Sequence, residues 1–221
     1  MTRNPQLADG QPDERLLSTQ VADQLRHAIL TGAIEPGCRV RQDELAERFG
    51  ASRIPVREAL RLLESEGLVV LVPNSGAWIN KIDRAECIEI YKMRERLEPL
   101  ALSESVANLS DADIARLTAM AGEIHAAATV EEYIDRDRKF HLFSYSRAVM
   151  PKLLVAVERF WNLTQHYRRL YIATTGGEGR WISDAEHRLM IEAIRRRDSE
   201  EAERVIFSHI RRTRVHLQRM G

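Results

Sequence analysis

The 221-residue sequence has few aromatic residues, few cysteines and no net charge. Its 33 Lys and Arg residues balance 33 Asp and Glu residues, so there is no overall basic field to attract nucleic acid. Its two cysteines, Cys38 and Cys87, form neither a disulfide framework nor a metal-binding motif, which is typical of a reducing cytoplasm. We therefore predict a cytoplasmic location, and any DNA contact has to come from a local group of arginines.

Long apolar segments are also missing. Apolar runs such as residues 68–72 are far shorter than the roughly 18 residues that a membrane-spanning helix needs. No signal peptide is recognisable, so we expect no membrane partner. With 30% charged and 6% aromatic residues, the composition favours a mainly helical protein of one or two domains.

One stretch, residues 52–67, combines a helical pattern with a row of arginines. Apolar residues recur on one side, while Arg53, Arg57 and Arg61 recur every four residues on the other. Ser52 is a suitable N-cap for this helix. Such a helix suits the DNA major groove, where arginine binds guanine edges and phosphates. An ordinary surface helix with solvated arginines fits the same pattern.

The neighbouring segments favour the DNA-binding interpretation. Residues 42–50 predict a shorter helix, which a tight glycine-containing turn joins to the arginine helix, as in a helix-turn-helix. Residues 68–72 and 77–80 predict two strands of a hairpin, in the place of a wing. With an N-terminal helix capped by Thr19, the pattern predicts a winged helix-turn-helix of three helices and a β-hairpin.

The run DELAERFGASRIPVREALRLLESEGLVVLVPNSGAWI, residues 43–79, resembles the DNA-binding domain of GntR-type transcriptional regulators. The helical remainder resembles the metal-binding FCD-type effector domain of the FadR subfamily. The resemblance implies that Arg53 and Arg57 are the main operator-contacting arginines, and that Gly76 lets the wing approach the DNA backbone. The full predicted DNA-binding set is Arg53, Arg57, Arg61, Ser52, Arg41 and Gly76.

The sequence departs from the family pattern in two places. Asp43 stands where members often carry arginine, and the wing tip, Asn74 and Ser75, stands where many carry basic residues. Both departures remove positive charge from the predicted DNA-binding surface, so they bear on the strength and sequence preference of DNA binding.

The resemblance also implies a domain order. We predict a flexible N-terminal arm over residues 1–16, a winged helix-turn-helix domain over 17–80, and an FCD-like effector-binding and dimerisation domain over 81–221. The last domain is predicted as an antiparallel all-α bundle of about six helices. The glycine-rich stretch 175–179 predicts a flexible break between two of them.

Four residues of metal-ligating types lie on predicted helices of the C-terminal domain. Asp137 and His141 are four residues apart, so both leave one face of a helix, while His187 and His209 lie on later helices. One carboxylate and three imidazoles suit zinc, nickel or manganese better than magnesium or calcium. On spacing alone, however, scattered bundle histidines are more often ordinary core or surface residues.

The family resemblance supports the metal interpretation. Metal-binding FCD domains carry an aspartate, a histidine four residues later and two further histidines on later helices, and the four residues above match this pattern. We therefore predict a divalent transition metal, with zinc first and nickel or manganese as alternatives. The family also implies a small carboxylate effector beside the metal, and Arg94 resembles the arginine that faces this pocket. The alternative for Arg94 is a salt bridge to Glu98, one helical turn away.

The predicted function is a transcriptional regulator, expected to be a repressor, that binds an inverted-repeat DNA operator as a homodimer. A metal-sensing regulator, in which the ion itself is the signal, is one alternative. A metalloenzyme is another, because Asp and His ligands with open coordination positions also occur in hydrolases. An enzyme would have no need of the arginine helix and wing, so we predict that the chain is not an enzyme.

Overall fold

The computed structural model describes residues 14–73 and 75–220, and the chain divides into two compact units between Asn80 and Lys81. The first unit contains α1 (Glu14–Leu30), β1 (Arg39–Val40), α2 (Gln42–Arg48), α3 (Arg53–Ser65), β2 (Val69–Val72) and β3 (Gly76–Ile79). The second contains α4 (Arg84–Val106), α5 (Asp111–His125), α6 (Val130–Tyr145), α7 (Pro151–Arg195) and α8 (Ser199–Arg219). The predicted fold class, a winged helix-turn-helix followed by an all-α bundle, is confirmed.

The wing belongs to a three-stranded antiparallel sheet in the order β1-β3-β2. Strands β2 and β3 form the predicted hairpin, in which Val70 pairs with Trp78. Strand β1 pairs Arg39 with the same Trp78 from the other side. This third strand is absent from the sequence prediction, since two residues are too few to show an alternating pattern.

The arginine helix α3 has a fully packed back. Its residues Val56, Leu60 and Leu63 are completely buried, and they share one apolar core with Val21 and Leu25 of α1. Burial of apolar side chains on this scale is the main stabilising contribution of a small domain. The apolar side that the sequence predicts is therefore the packed side, and the arginine side faces away from the core.

Helix α1 begins at Glu14, inside the range predicted as a flexible arm. Thr19, predicted as its N-cap, lies within the helix, and its hydroxyl donates to the carbonyl oxygen of Arg15 at 3.0 Å. Residues 14–17 are good helix formers, so the helix extends in the N-terminal direction from its packed segment. Residues 1–13 of the predicted arm lie outside the described residues.

Helix α7 runs without interruption from Pro151 to Arg195, so the break predicted at residues 175–179 is wrong. A glycine in a helix interior costs only about 1 kcal/mol relative to alanine. The segments on both sides of the glycines pack against neighbouring helices, and they bury large side chains such as Trp161 and Ile191. Packing therefore outweighs the local propensity, and the described bundle consists of five helices instead of about six.

The core of the bundle is apolar but contains a group of buried charges. Among its most buried side chains are the charged residues Arg94, Glu98, Asp137, Arg138 and Arg168. A buried charge is costly unless another group compensates it, so its presence marks a place with a special role. In the part of the chain that the structure describes, no helix is long and apolar enough to cross a membrane.

Helix α4 begins with a capping box, which yields a prediction about stability. The Asp83 carboxylate accepts a hydrogen bond from the Glu86 backbone N–H at 2.8 Å, and the Glu86 carboxylate accepts one from the Asp83 N–H, also at 2.8 Å. We expect Asp83→Ala to lower the free energy of unfolding by about 1 kcal/mol, because first-turn donors lose their acceptor. Urea unfolding followed by circular dichroism measures the change. Glu89→Ala, an exposed substitution in the same helix, is the control, and an equal loss in both variants would contradict the capping role.

Candidate metal centre and nucleic-acid interface

The predicted DNA-reading face of α3 is exposed. The side chains of Arg53 and Arg61 are 76% and 59% exposed, and Arg57 between them is exposed as well. Ser52 takes the N-cap position, but its hydroxyl makes no capping hydrogen bond within the described residues. The N-terminal end of α3, which helix-turn-helix proteins direct at base edges, therefore presents exposed polar groups to the solvent.

Asp43, the first departure from the family pattern, lies beside Arg53. Its Oδ1 atom is 2.8 Å from Arg53 Nε, and it lies in the first turn of α2. Both side chains are well exposed, so the ion pair itself contributes little to stability. The contact engages Arg53 through Nε and places a negative charge beside its guanidinium.

The wing contains a basic residue that the sequence analysis missed. Arg39 of β1 donates from Nη2 to the Ser75 carbonyl oxygen at 2.8 Å, and its guanidinium lies 5.5 Å from the centre of the Trp78 ring. Pairing of β1 with β3 brings this charge to the wing from a distant position in the chain. Gly76 has a φ of +113°, a backbone conformation that favours glycine. Asn74 of the predicted wing tip lies outside the described residues.

Arg41, the remaining predicted DNA-binding residue, takes the N-cap position of α2. Its side chain is 64% exposed, and its Nη1 lies 3.3 Å from Glu44 Oε1. The pair is a weak surface contact. The guanidinium is therefore accessible to a phosphate.

Four predicted metal ligands meet inside the bundle. Helix α6 supplies Asp137 and His141, α7 supplies His187 and α8 supplies His209. One ligand atom from each residue lies within 4.8 Å of the others. The Nε2 atoms of His141 and His187 are 3.2 Å apart, and Asp137 Oδ1 lies 3.7 and 3.3 Å from them, respectively. Residues up to 72 positions apart in sequence, such as Asp137 and His209, thus surround one point.

The protonation states in this cluster suit a metal ion. Burial lowers the pKa of both His141 and His209 to about 4, although neighbouring carboxylates oppose the shift, so both imidazoles are neutral at pH 7. Burial opposes ionisation of Asp137, but Arg168 and His141 hold its pKa well below the usual range. A carboxylate beside neutral imidazoles is the form in which these groups bind a metal.

Residues around the cluster orient its ligands. His209 Nδ1 lies 2.7 Å from Glu186 Oε2, and His141 Nδ1 lies 3.4 Å from the Tyr145 hydroxyl. Contacts of this kind fix a ring so that its other nitrogen can serve as a ligand. Together with the donor set, they fit a divalent transition metal, which suits imidazole and carboxylate ligands.

Arg168 and Glu186 contact the cluster, but the sequence analysis did not assign either to the site. Arg168 Nη2 donates to Asp137 Oδ2, the carboxylate oxygen that does not face His141 and His187. Glu186 also accepts hydrogen bonds from Arg212. Glu186 directly precedes His187 in sequence, and this adjacency could have placed Glu186 near the cluster. The direction in which the Arg168 side chain points could be known only from the tertiary structure.

Arg94 makes the salt bridge that was the alternative to effector binding. Its Nε donates to Glu98 Oε1 at 2.5 Å and its Nη1 to Thr164 Oγ1 at 2.9 Å. Glu98 is completely buried and also accepts hydrogen bonds from the Tyr145 hydroxyl at 2.9 Å and from Trp161 Nε1 at 3.0 Å. Tyr145 also contacts His141 of the cluster, so Arg94 is linked to the cluster through Glu98 and Tyr145. An effector contact of Arg94 stays a prediction.

Comparisons with known proteins cover both units. The model of the FCD domain matches residues 89–212, and the model described as bacterial regulatory proteins, gntR family, matches residues 17–79. The HTH-type transcriptional regulator McbR of Escherichia coli K12 is 31% identical over 83% of this chain and 85% of its own. YdhC of Bacillus subtilis 168, an uncharacterized HTH-type transcriptional regulator, is 31% identical over 90% of both chains. The structure of E. coli McbR/YncC superposes with a TM-score of 0.80 at 27% identity, covering 91% of this chain and 97% of that one.

The cluster predicts how metal content responds to substitution. We expect His187→Ala to lower the bound metal per chain severalfold, because an imidazole at the centre of the donor set is lost. Elemental analysis after dialysis against a weak chelator measures this content. His125→Ala is the matched control, since that histidine is 66% exposed and pairs with Asp184 outside the cluster. Full metal content in His187→Ala would refute the assignment of this ligand.

Proposed function

The chain belongs to the gntR family of bacterial regulatory proteins and carries an FCD domain, and we propose that it is a repressor controlled by a small organic acid. In this proposal it binds an inverted-repeat operator as a homodimer in the cytoplasm. The acid binds at a metal held by the Asp137, His141, His187 and His209 cluster. The observation that carries the proposal is this buried donor set, which a DNA-binding regulator would not need for folding alone.

We assign operator recognition to the exposed face of α3. Arg53 and Arg57 would bind base edges in the major groove, while Arg61, Arg41 and Ser52 would contact phosphates. The wing would lie against the backbone beside Gly76. A homodimer would place two copies of α3 on two half-sites, as the two-fold symmetry of an inverted repeat requires.

The metal would link the effector to the protein. Bound to the four ligands, a divalent ion such as zinc supplies a Lewis-acidic position for a carboxylate oxygen. Nickel and manganese accept the same ligands. Arg94 would bind the acid with its guanidinium, while Glu98 and Thr164 hold that side chain in place. An acid that binds two conformations of the dimer with different affinities changes operator affinity by shifting the balance between them.

Substitution of Arg53 tests the DNA-binding assignment. We expect Arg53→Ala to weaken specific operator binding by about 30-fold or more, because a bidentate guanine contact contributes about 1–3 kcal/mol and a dimer loses two of them. Fluorescence anisotropy with operator and scrambled duplexes at fixed salt measures specific and non-specific binding. Arg188→Ala, which removes an exposed arginine from the second unit, is the control. Unchanged affinity and sequence preference in Arg53→Ala would remove Arg53 from its assigned role.

Thermal unfolding tests the effector site. We expect one or more small organic acids to raise the unfolding midpoint of the metal-loaded protein, since a ligand that binds only the folded state stabilises it. The same acids should have no effect after chelation or in His187→Ala. If chelation lowers the midpoint but no acid raises it, the metal is structural or is itself the signal, and the organic effector is refuted.

A further inference from the structure

Three arginine side chains are buried in the bundle, and two of them lie against the ring of Trp161. The guanidinium carbons of Arg94 and Arg168 are 4.3 and 4.2 Å from the centre of the Trp161 ring. The side chain of Arg138 is 9% exposed, and its Nη2 donates to Oδ1 of Asn162 at 2.8 Å. Both Arg94 and Arg168 lie close enough to Arg138 to repel it electrostatically, so the three guanidiniums belong to one buried region, in which Arg168 contacts the ligand Asp137.

The charges in this region do not balance. Glu98 is bound by Arg94, and Asp137 is bound by Arg168. The other deeply buried carboxylates among the described residues have basic partners of their own, in the pairs Glu95–Arg214 and Asp113–Arg147. Among the residues that the structure describes, Arg138 therefore has no equally buried carboxylate to neutralise it. A divalent ion at the cluster would add two further positive charges, and uncompensated buried charge is strongly destabilising.

Arg138 and Arg168 also retain unused donors. Arg138 Nη1 and Arg168 Nε are buried and have no hydrogen-bond partner within the described residues. The carboxylate of Glu158 lies 3.6 Å from Arg138 Nη2, but that side chain is 60% exposed. A buried donor without an acceptor costs free energy until a ligand supplies one.

We propose that the effector carries two anionic groups, and that Arg138 Nη1 together with Arg168 Nε binds the second of them. The inference rests on the proposed function, because the first group is the carboxylate at the metal centre. The chemical class is a dianionic organic acid with a short chain between its two carboxylates. The second carboxylate of such a ligand supplies negative charge beside Arg138 and acceptors for the two unused donors. A monocarboxylate, whose one carboxylate binds at the metal, supplies neither of them there.

Isothermal titration calorimetry of the zinc-loaded full-length protein tests this proposal. The probes are the dicarboxylates malonate, succinate, glutarate and adipate, each compared with the monocarboxylate of equal carbon number, from propionate to hexanoate. We expect at least one dicarboxylate to bind tenfold or more tightly than its monocarboxylate partner. Arg138→Gln should remove most of this preference while leaving the affinity for the monocarboxylate within about twofold. Arg138→Lys, which keeps the charge, should retain part of it.

Lys139→Gln is the matched control, since it removes an adjacent positive charge that is 65% exposed on the same helix, and it should keep the full preference. Circular dichroism and metal content confirm that each variant is folded and loaded. Equal binding of both acids by the unsubstituted protein, or an unchanged preference in Arg138→Gln, would overturn the second subsite while leaving the metal-centred effector site intact. If no acid of either class binds, the effector part of the proposed function fails as well, and operator binding, measured separately, is unaffected.

Discussion

The carboxylate of Asp137 has to remain charged in the interior of the bundle. It is 1% exposed, and an isolated carboxylate at such a position would take up a proton. Arg168 on one oxygen and the imidazoles of His141 and His187 beside the other keep it ionised. This requirement accounts for much of the surrounding structure, because Arg168 in turn lies over Trp161, whose indole N–H donates to Glu98. A chain of contacts between buried side chains thus links Glu98 to the candidate metal ligands.

The DNA-binding unit differs from the bundle, since its interior is apolar and its charged groups lie on the surface. Helix α3 contributes to both, because its valine and leucine side packs on α1 and its arginine side is exposed. At Asp43, a departure from the family pattern, an acidic side chain contacts Arg53 through Nε and adds negative charge beside its guanidinium. The wing gains a positive charge from Arg39 that its own tip does not supply.

Several elements were predictable because their signals are local. The caps Asp83, Ser110 and Thr129 each begin a helix where the sequence predicts one. The continuity of the long helix α7 was not predictable. The free-energy cost of its glycines is a local effect, whereas the packing that offsets this cost involves four other helices. The start of α1 was missed for a related reason, since good helix formers extend a helix beyond its first recognisable cap. Strand β1 was missed because its two residues show no alternating pattern and its partner lies far away in sequence.

The candidate sites also have features that the sequence could predict and features that it could not. The sequence by itself determined the DNA-binding helix and its arginine face, because both depend on spacing within one helix. It also supplied the four candidate metal ligands, through the family pattern. Only the tertiary structure decided that these ligands meet at one point, that Arg94 is held by Glu98, and that Arg138 and Arg168 keep unused donors inside the bundle. The physical reason is that burial and charge compensation depend on which residues surround a side chain, and those residues come from helices far apart in the chain.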